Sequence, residues 1–200
     1  MNVEPRQHRE DRRVRRTKKL LTQALTQLMA DKQIKEITVK ELTDLADINR
    51  GTFYLYYRDI YDMLARIEDD MFSALEKIIS DRVRQEGAAG VKPILTEVFA
   101  FIAENREMCS VLLSANGDMS FLHRLNGFIR EECRCLGPAC ETDDAEFEYS
   151  YSFAVFGCAG LIRAYLSRDC RESAARMAEI ACSMLRSGSM EHLKDWGDRG

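Results

Sequence analysis

Proline is scarce, with three residues in 200, and no stretch sustains the alternation of polar and apolar side chains that marks a half-buried strand. Glycine is sparse too, at 11 residues, so little interrupts the apolar positions that recur at spacings of three and four almost throughout. An all-α fold follows. Histidine is limited to His8, His123 and His192, none of them in a metal-ligand pair, and no phosphate-cradling glycine loop or nucleophile elbow is present. The adjacent acidic pairs Asp69-Asp70 and Glu131-Glu132 point apart on a helix and read as solvated surface. Enzyme chemistry is therefore not expected, nor is a metal or other cofactor. No apolar run approaches the roughly 20 residues that span a bilayer, and the N-terminus is charged rather than apolar. With seven cysteines, an odd number, on such a chain, the expected compartment is the reducing cytoplasm.

Hydrophobic residues make up 46% of the chain and charged residues 31%, the balance of a globular protein of one or two domains with a sizeable core. The net charge of −4 hides an uneven distribution. Residues 1–60 hold 13 Lys and Arg against 9 Asp and Glu, while residues 61–200 hold 16 against 24. A polyanion would be met by the N-terminal part and repelled by the remainder.

Residues 1–12 carry Arg6, Arg9 and Arg12 with few apolar side chains and read as a basic flexible arm, either a solvated tail or an addition to phosphate and minor-groove contacts. From about Arg13 to Ala30, Val14, Leu21, Ala24, Leu25 and Leu28 form the stripe of an amphipathic helix. Two short helix signals follow. Thr38 with Glu41 three residues later is a capping box, and Val39, Leu42 and Leu45 share a helical face. Asn49 caps the second signal, which runs Arg50-Gly51-Thr52-Phe53-Tyr54. Neither piece is long enough to be stable alone, so the three pack as one helix-turn-helix domain over residues 13–58.

Asp59 caps a long helix in which Ile60, Leu64, Ile67, Met71, Leu75 and Ile78 recur, reaching roughly to Gln85. The remaining helices are expected at about Lys92 to Asn105, Arg106 to Ser114, Met119 to Leu136, Asp144 to Ser167 and Ala174 to Ser187, giving a second helical domain over 59–188 and a tail over 189–200. The Asp144 helix carries two stripes. Phe147, Tyr151, Ala154, Cys158, Leu161 and Tyr165 form one; Phe153, Gly157, Gly160 and Ala164 form the other. Interior glycines cost a helix roughly 0.5–1 kcal/mol each, so the second stripe expects a close neighbour, from a second subunit or from within the chain.

A helix-turn-helix reads double-stranded DNA by placing its second helix in the major groove. Asn49, Arg50, Gly51, Thr52 and Tyr54 are placed for that groove, with Arg50 suited to guanine and Thr52 to a thymine methyl or a phosphate. Tyr54, Tyr57 and the amide end of the Thr38 helix are better suited to phosphates, Lys40 and Arg58 add charge, and Phe53 anchors the helix to its core.

The stretch ITVKELTDLADINRGTFYLYYRDIYDML, behind a basic amphipathic helix, closely resembles the N-terminal DNA-binding domain of the TetR family of transcriptional regulators over about Arg13 to Leu64. FGCAGLIRAYL, at Phe156 to Leu166, is similar to a dimerisation-helix segment of some members. The resemblance implies a homodimer that reads a pseudo-palindromic operator, a long helix joining the DNA-binding domain to a C-terminal ligand-binding and dimerisation domain, a two-helix dimer interface, and repression relieved by a small-molecule effector. Where members often carry a phosphate-binding lysine, this chain has Ile60.

Two other readings accompany this one. An interaction protein or co-activator would keep the fold and use it on a protein partner, which suits Ile60 and the acidic C-terminal part. A thiol- or metal-sensing regulator would use Cys133, Cys135, Cys140 and His123, although C-x-C-x4-C is not a strong zinc spacing. Phe99, Phe101, Met108, Phe121, Phe128 and Tyr149 are the candidates for lining an effector pocket, against their ordinary role as core.

Overall fold

The computed structural model describes residues 12–86, 91–113, 119–136 and 144–188. The basic arm short of Arg12, the tail over 189–200 and the Gly87-Ala88-Ala89-Gly90 break lie outside the described residues. Among the described residues there are nine α-helices, one short 3-10 turn and no strand, so the fold is all-α as the spacing requires. The chain divides into two compact units, and the change falls between Ile67 and Glu68, inside α4 (Ile60–Glu86), rather than after Arg58.

The first unit holds α1 (Arg12–Asp31), α2 (Val39–Ala46), α3 (Arg50–Tyr54) and the opening turns of α4. Leu21, Ala24, Leu25 and Met29 of α1 are buried, as are Ile37, Leu42, Ala46, Phe53, Ile60, Met63 and Leu64. Burial of each large aliphatic side chain contributes about 1.5–3 kcal/mol, which is how three helices too short or too polar to stand alone become one body. Leu45 is not part of this core. It is 44% exposed, because α2 turns Leu42, Thr43 and Ala46 inward instead. Thr43 tolerates burial because its hydroxyl donates to the carbonyls of Val39 at 2.8 Å and Lys40 at 3.1 Å.

The second unit holds the rest of α4 with α5 (Val91–Glu104), α6 (Arg106–Leu112), α7 (Met119–Leu136), α8 (Asp144–Ser167) and α9 (Ala174–Gly188). Met71, Leu75 and Ile79 continue the buried edge of α4 at steps of four, so Ile79 takes the place expected of Ile78. α5 packs along α9 and meets α8 through Phe99, whose ring stands edge-on to Tyr165 with centroids 5.6 Å apart. α7 lies on α4: the Arg124 guanidinium sits 4.1 Å from the Phe72 ring centroid and 2.7 Å from the Asp69 carboxylate, and Phe72 meets Phe128 at 5.8 Å.

A polar seam fixes the rotation of α8 against α7. The Tyr151 hydroxyl donates to the carbonyl of Asn126 at 2.7 Å, while Arg130 and Arg134 converge on the Glu148 carboxylate. Arg134 also covers the Phe147 ring at 4.7 Å. Of the six aromatic and methionine positions read as pocket candidates, Phe99, Met108 and Phe121 are buried and Phe101 and Phe128 are half-buried. Tyr149 is 78% exposed, because the seam turns it to the outside of α8; it does not line an interior pocket.

Two stability predictions follow from these contacts. Ile60 is only 4% exposed, so Ile60→Lys places an ammonium against the first unit's core and lowers the stability of the folded chain by about 2 kcal/mol or more, read by thermal or urea unfolding. The Arg130 and Arg134 guanidiniums, Arg130's hydrogen bond first, hold the Glu148 carboxyl below its ordinary range. The contribution of Glu148 is thus complete above the unfolded value near 4.5 and disappears as pH falls through the lower folded value. Glu148→Gln unfolds at a lower temperature than the native chain at neutral pH, and the two melting temperatures converge as pH falls through the lowered Glu148 value.

Candidate nucleic-acid interface

Hydrogen bonds at its ends set where each short helix begins. The Thr38 hydroxyl accepts from the Glu41 N–H at 3.2 Å, as a cap should. The Glu41 carboxylate does not reach back to complete a box; it pairs with Lys32, which ties α2 to the residue following α1. α2 ends on Asp47 in the left-handed region, φ 53°, where Ile48 N–H donates to the Thr43 carbonyl at 3.0 Å. Aspartate tolerates that conformation better than most residues, so the turn closes without a glycine. Asn49 then caps α3, its Oδ1 accepting from the Gly51 N–H at 2.7 Å.

Phe53 decides which way α3 faces. Its side chain has no exposed surface, and Tyr57, one turn on, is 6% exposed with its ring 5.6 Å from Phe53 and the Arg66 guanidinium 5.8 Å away on another side. Tyr57 therefore packs into the core, which leaves it little surface for the phosphate role expected of it. At 100° per residue, the side of α3 opposite Phe53 and Tyr57 carries Gly51 and Leu55. Leu55 is 77% exposed and Tyr54 58%. Arg50, Gly51, Asn49, Lys40, Thr38 and Arg58 are also exposed, whereas Thr52 is half-buried. Leu55 carries no polar or charged group to mark it in the sequence; its register two residues from the core anchor Phe53 is the signal that locates it.

Asp59 caps α4 by accepting from the Asp62 N–H at 2.8 Å. The Asp62 carboxylate accepts from the Arg58 backbone N–H at 2.9 Å and from Arg66 Nε at 3.3 Å, and the Arg58 N–H is the main reason its carboxyl lies below the usual range. Arg58 itself remains 84% exposed beside it. The position at which a phosphate-binding lysine was expected is therefore interior, and Arg58 and Arg66 are exposed cations nearby. Further positive charge gathers at the head of α1, where Arg12, Arg13, Arg15, Arg16 and Lys19 line an open depression.

A second open surface lies on α8. Its first stripe turns inward, with Tyr151 and Tyr165 buried, and its second turns outward: Phe153 is 61% exposed, and Gly157, Gly160 and Ala164 are exposed with it. Among the described residues, a Cβ at Gly157 or Gly160 would meet nothing within 4 Å, so neither glycine serves packing among them. Tyr149 and Phe156, 76% exposed, extend the stripe, and Met184 on α9 is 57% exposed.

The described cysteines give little support to thiol chemistry. Cys109, Cys133, Cys158, Cys170 and Cys182 are free, and burial pushes the Cys109 thiol up to about 12 and raises Cys133, Cys158 and Cys170. Raised thiols stay protonated at neutral pH and are poor nucleophiles. The side chains of Cys135 and Cys140 lie outside the described residues. Among the described residues no group of three or more His, Cys, Asp or Glu is arranged to hold a metal, and no helix is long and apolar enough to cross a membrane.

Comparison with known proteins places this arrangement. Residues 91–187 match the TetR_C_8 family, a transcriptional regulator C-terminal region. The uncharacterized HTH-type transcriptional regulator YxbF of Bacillus subtilis (strain 168) is 28% identical over 95 residues, which cover 46% of this chain and a quarter (25%) of that longer relative. The fold matches the fatty acid degradation regulator FadR of Bacillus halodurans with a TM-score of 0.65 at 13% identity, over 86% of this chain and 96% of that one. It also matches FadR of Bacillus subtilis, solved in complex with stearoyl-CoA, with a TM-score of 0.57 at 16% identity over 85% of this chain and 98% of that one. With a helix-turn-helix unit in front of a region that matches a transcriptional regulator C-terminal region, the chain has the fold of TetR-type regulators.

Proposed function

We propose that the first unit binds double-stranded DNA through α3, that a second copy of the chain covers the outward stripe of α8, and that the resulting homodimer represses transcription from a pseudo-palindromic operator until a small effector releases it. The observation that carries the DNA reading is the exposure of Arg50, Gly51, Tyr54 and Leu55 on a helix locked from behind by Phe53, with Thr38, Lys40 and Arg58 exposed around it. Such a set supplies base-edge and phosphate partners from one rigid element. The homodimer reading rests on Tyr149, Phe153 and Phe156 standing exposed beside two glycines that no neighbour among the described residues requires. Aromatic side chains around small ones are the composition of a buried interface rather than of a solvated face.

The similar Bacillus subtilis regulator holds stearoyl-CoA, which makes a long-chain acyl-CoA the first effector class to try here. Phe99, Met108 and Phe121 supply buried apolar surface in the second unit that suits an acyl chain.

Selection of the full chain on a random duplex pool, followed by affinity measurements over a range of salt, tests the reading. The chain enriches a palindrome whose binding weakens steeply with salt. Arg50→Ala costs about 1–3 kcal/mol and relaxes the preference at one base pair of each half-site, whereas Arg58→Ala weakens all duplexes alike and reduces the salt slope by about one per subunit. Stearoyl-CoA added to the complex releases the duplex. A pool that returns no preferred sequence would count against DNA reading and favour an interaction protein built on the same fold.

A further inference from the structure

We infer that Leu55 reads a C5-methyl group in the major groove, so that each half-site recognised by this protein contains a thymine whose methyl, rather than its hydrogen-bonding edge, is the feature selected. The inference rests on the DNA reading above and specifies part of what that reading recognises.

Leu55 occupies a position that packing alone does not explain. It is the C-cap of α3 with helical torsions, φ −70° and ψ −24°, so it continues the rotation of the helix beyond Tyr54. Two residues from Phe53 it stands about 200° around the axis from a ring with no exposed surface, and it lies one turn beyond Gly51. The outermost ridge of α3 is thus Gly51 followed by Leu55. Gly51 leaves that ridge low: apart from the Asn49 Oδ1 at 3.1 Å, a Cβ there meets no other atom within 4 Å. A backbone laid this close to a groove floor brings the next side chain on the same ridge, Leu55, toward the base edges.

The chemistry of the side chain then limits what it can recognise. Leucine has no donor or acceptor, so it cannot satisfy a guanine, adenine or cytosine edge, and placing it over one would leave that edge unpaired. The C5-methyl of thymine is the apolar feature of a standard base pair in the major groove. Its flanks fit such a contact. Tyr54 exposes an amphipathic ring on one side and Thr52 is half-buried on the other, while the positively charged partner for a guanine, Arg50, lies at the opposite end of the helix.

The experiment uses the full chain and the duplex it enriches from a random pool. Each thymine is replaced in turn by deoxyuridine, which removes only the methyl, and each cytosine by 5-methylcytosine, in binding measurements with the native chain and with Leu55→Ala. Removal of one methyl from a desolvated contact weakens binding by about fourfold. The expected result is a loss of about that size at one thymine per half-site with the native chain, no loss at the same position with Leu55→Ala, and no response to 5-methylcytosine. Because Leu55 is exposed, Leu55→Ala retains the native melting temperature and the salt slope of binding. An equal deoxyuridine penalty in both proteins, or no penalty in either, would overturn the inference while leaving DNA reading intact. A gain with 5-methylcytosine would overturn the assignment to thymine. Failure of the native chain to enrich any duplex would remove the DNA reading itself, and the inference with it.

Discussion

The burial of Phe53 is the constraint on which the open surface of α3 depends. A five-residue helix has too few hydrogen bonds to hold its own orientation, so its rotation is set by what it buries. With Phe53 and Tyr57 turned into a core built by Leu25, Met29, Leu42 and Met63, the opposite side has no choice but to face outward. The caps act on the same element: Asn49 starts it, Asp47 closes the turn before it, and Asp59 begins the next helix a few residues later. Ile60, where a lysine was expected at the start of α4, adds one more apolar side chain to this core, while Arg58 stays exposed beside it.

α8 is organised by an equivalent division of labour. The ion pairs of Glu148 with Arg130 and Arg134, the hydroxyl of Tyr151 on Asn126, and the Tyr165 ring on Phe99 fix one side inward. A helix that is apolar all round is normally buried all round. Here the second side, from Tyr149 through Phe153 and Phe156 to the glycines, is left uncovered by the described residues. Such exposure would be a liability in a monomer, and a second copy, as proposed, would remove it by symmetry.

Much of this was legible in the sequence because long helices leave a periodic record. The limits of α7 and α8 and the start of α9 follow from their apolar spacing, and the two stripes of α8 separate cleanly into an inward and an outward face. Local hydrogen-bond chemistry was readable as well, in the caps at Thr38, Asn49 and Asp59. The misses have a common cause. Which of several apolar residues on a short helix turns inward is a tertiary decision: α2 buries Ala46 and exposes Leu45, and α3 buries Tyr57 and exposes Leu55. Glu41 likewise had a choice between the backbone and Lys32, and only the position of α1 decides it. Tyr149 reads as core by its chemistry and is placed outside by a salt bridge one residue away, at Glu148.

The central claim is that the two surfaces left open by this packing, α3 opposite Phe53 and the outward side of α8, work together as a paired reader of DNA. The most direct measurement is the mass, by sedimentation equilibrium, of the complex between the full chain and the duplex it selects. Two chains of 23.0 kDa per duplex are predicted, with Phe156→Glu breaking the pairing while leaving a folded chain. A stable complex holding one chain per duplex, or two chains retained when Phe156 is made acidic, would contradict the account.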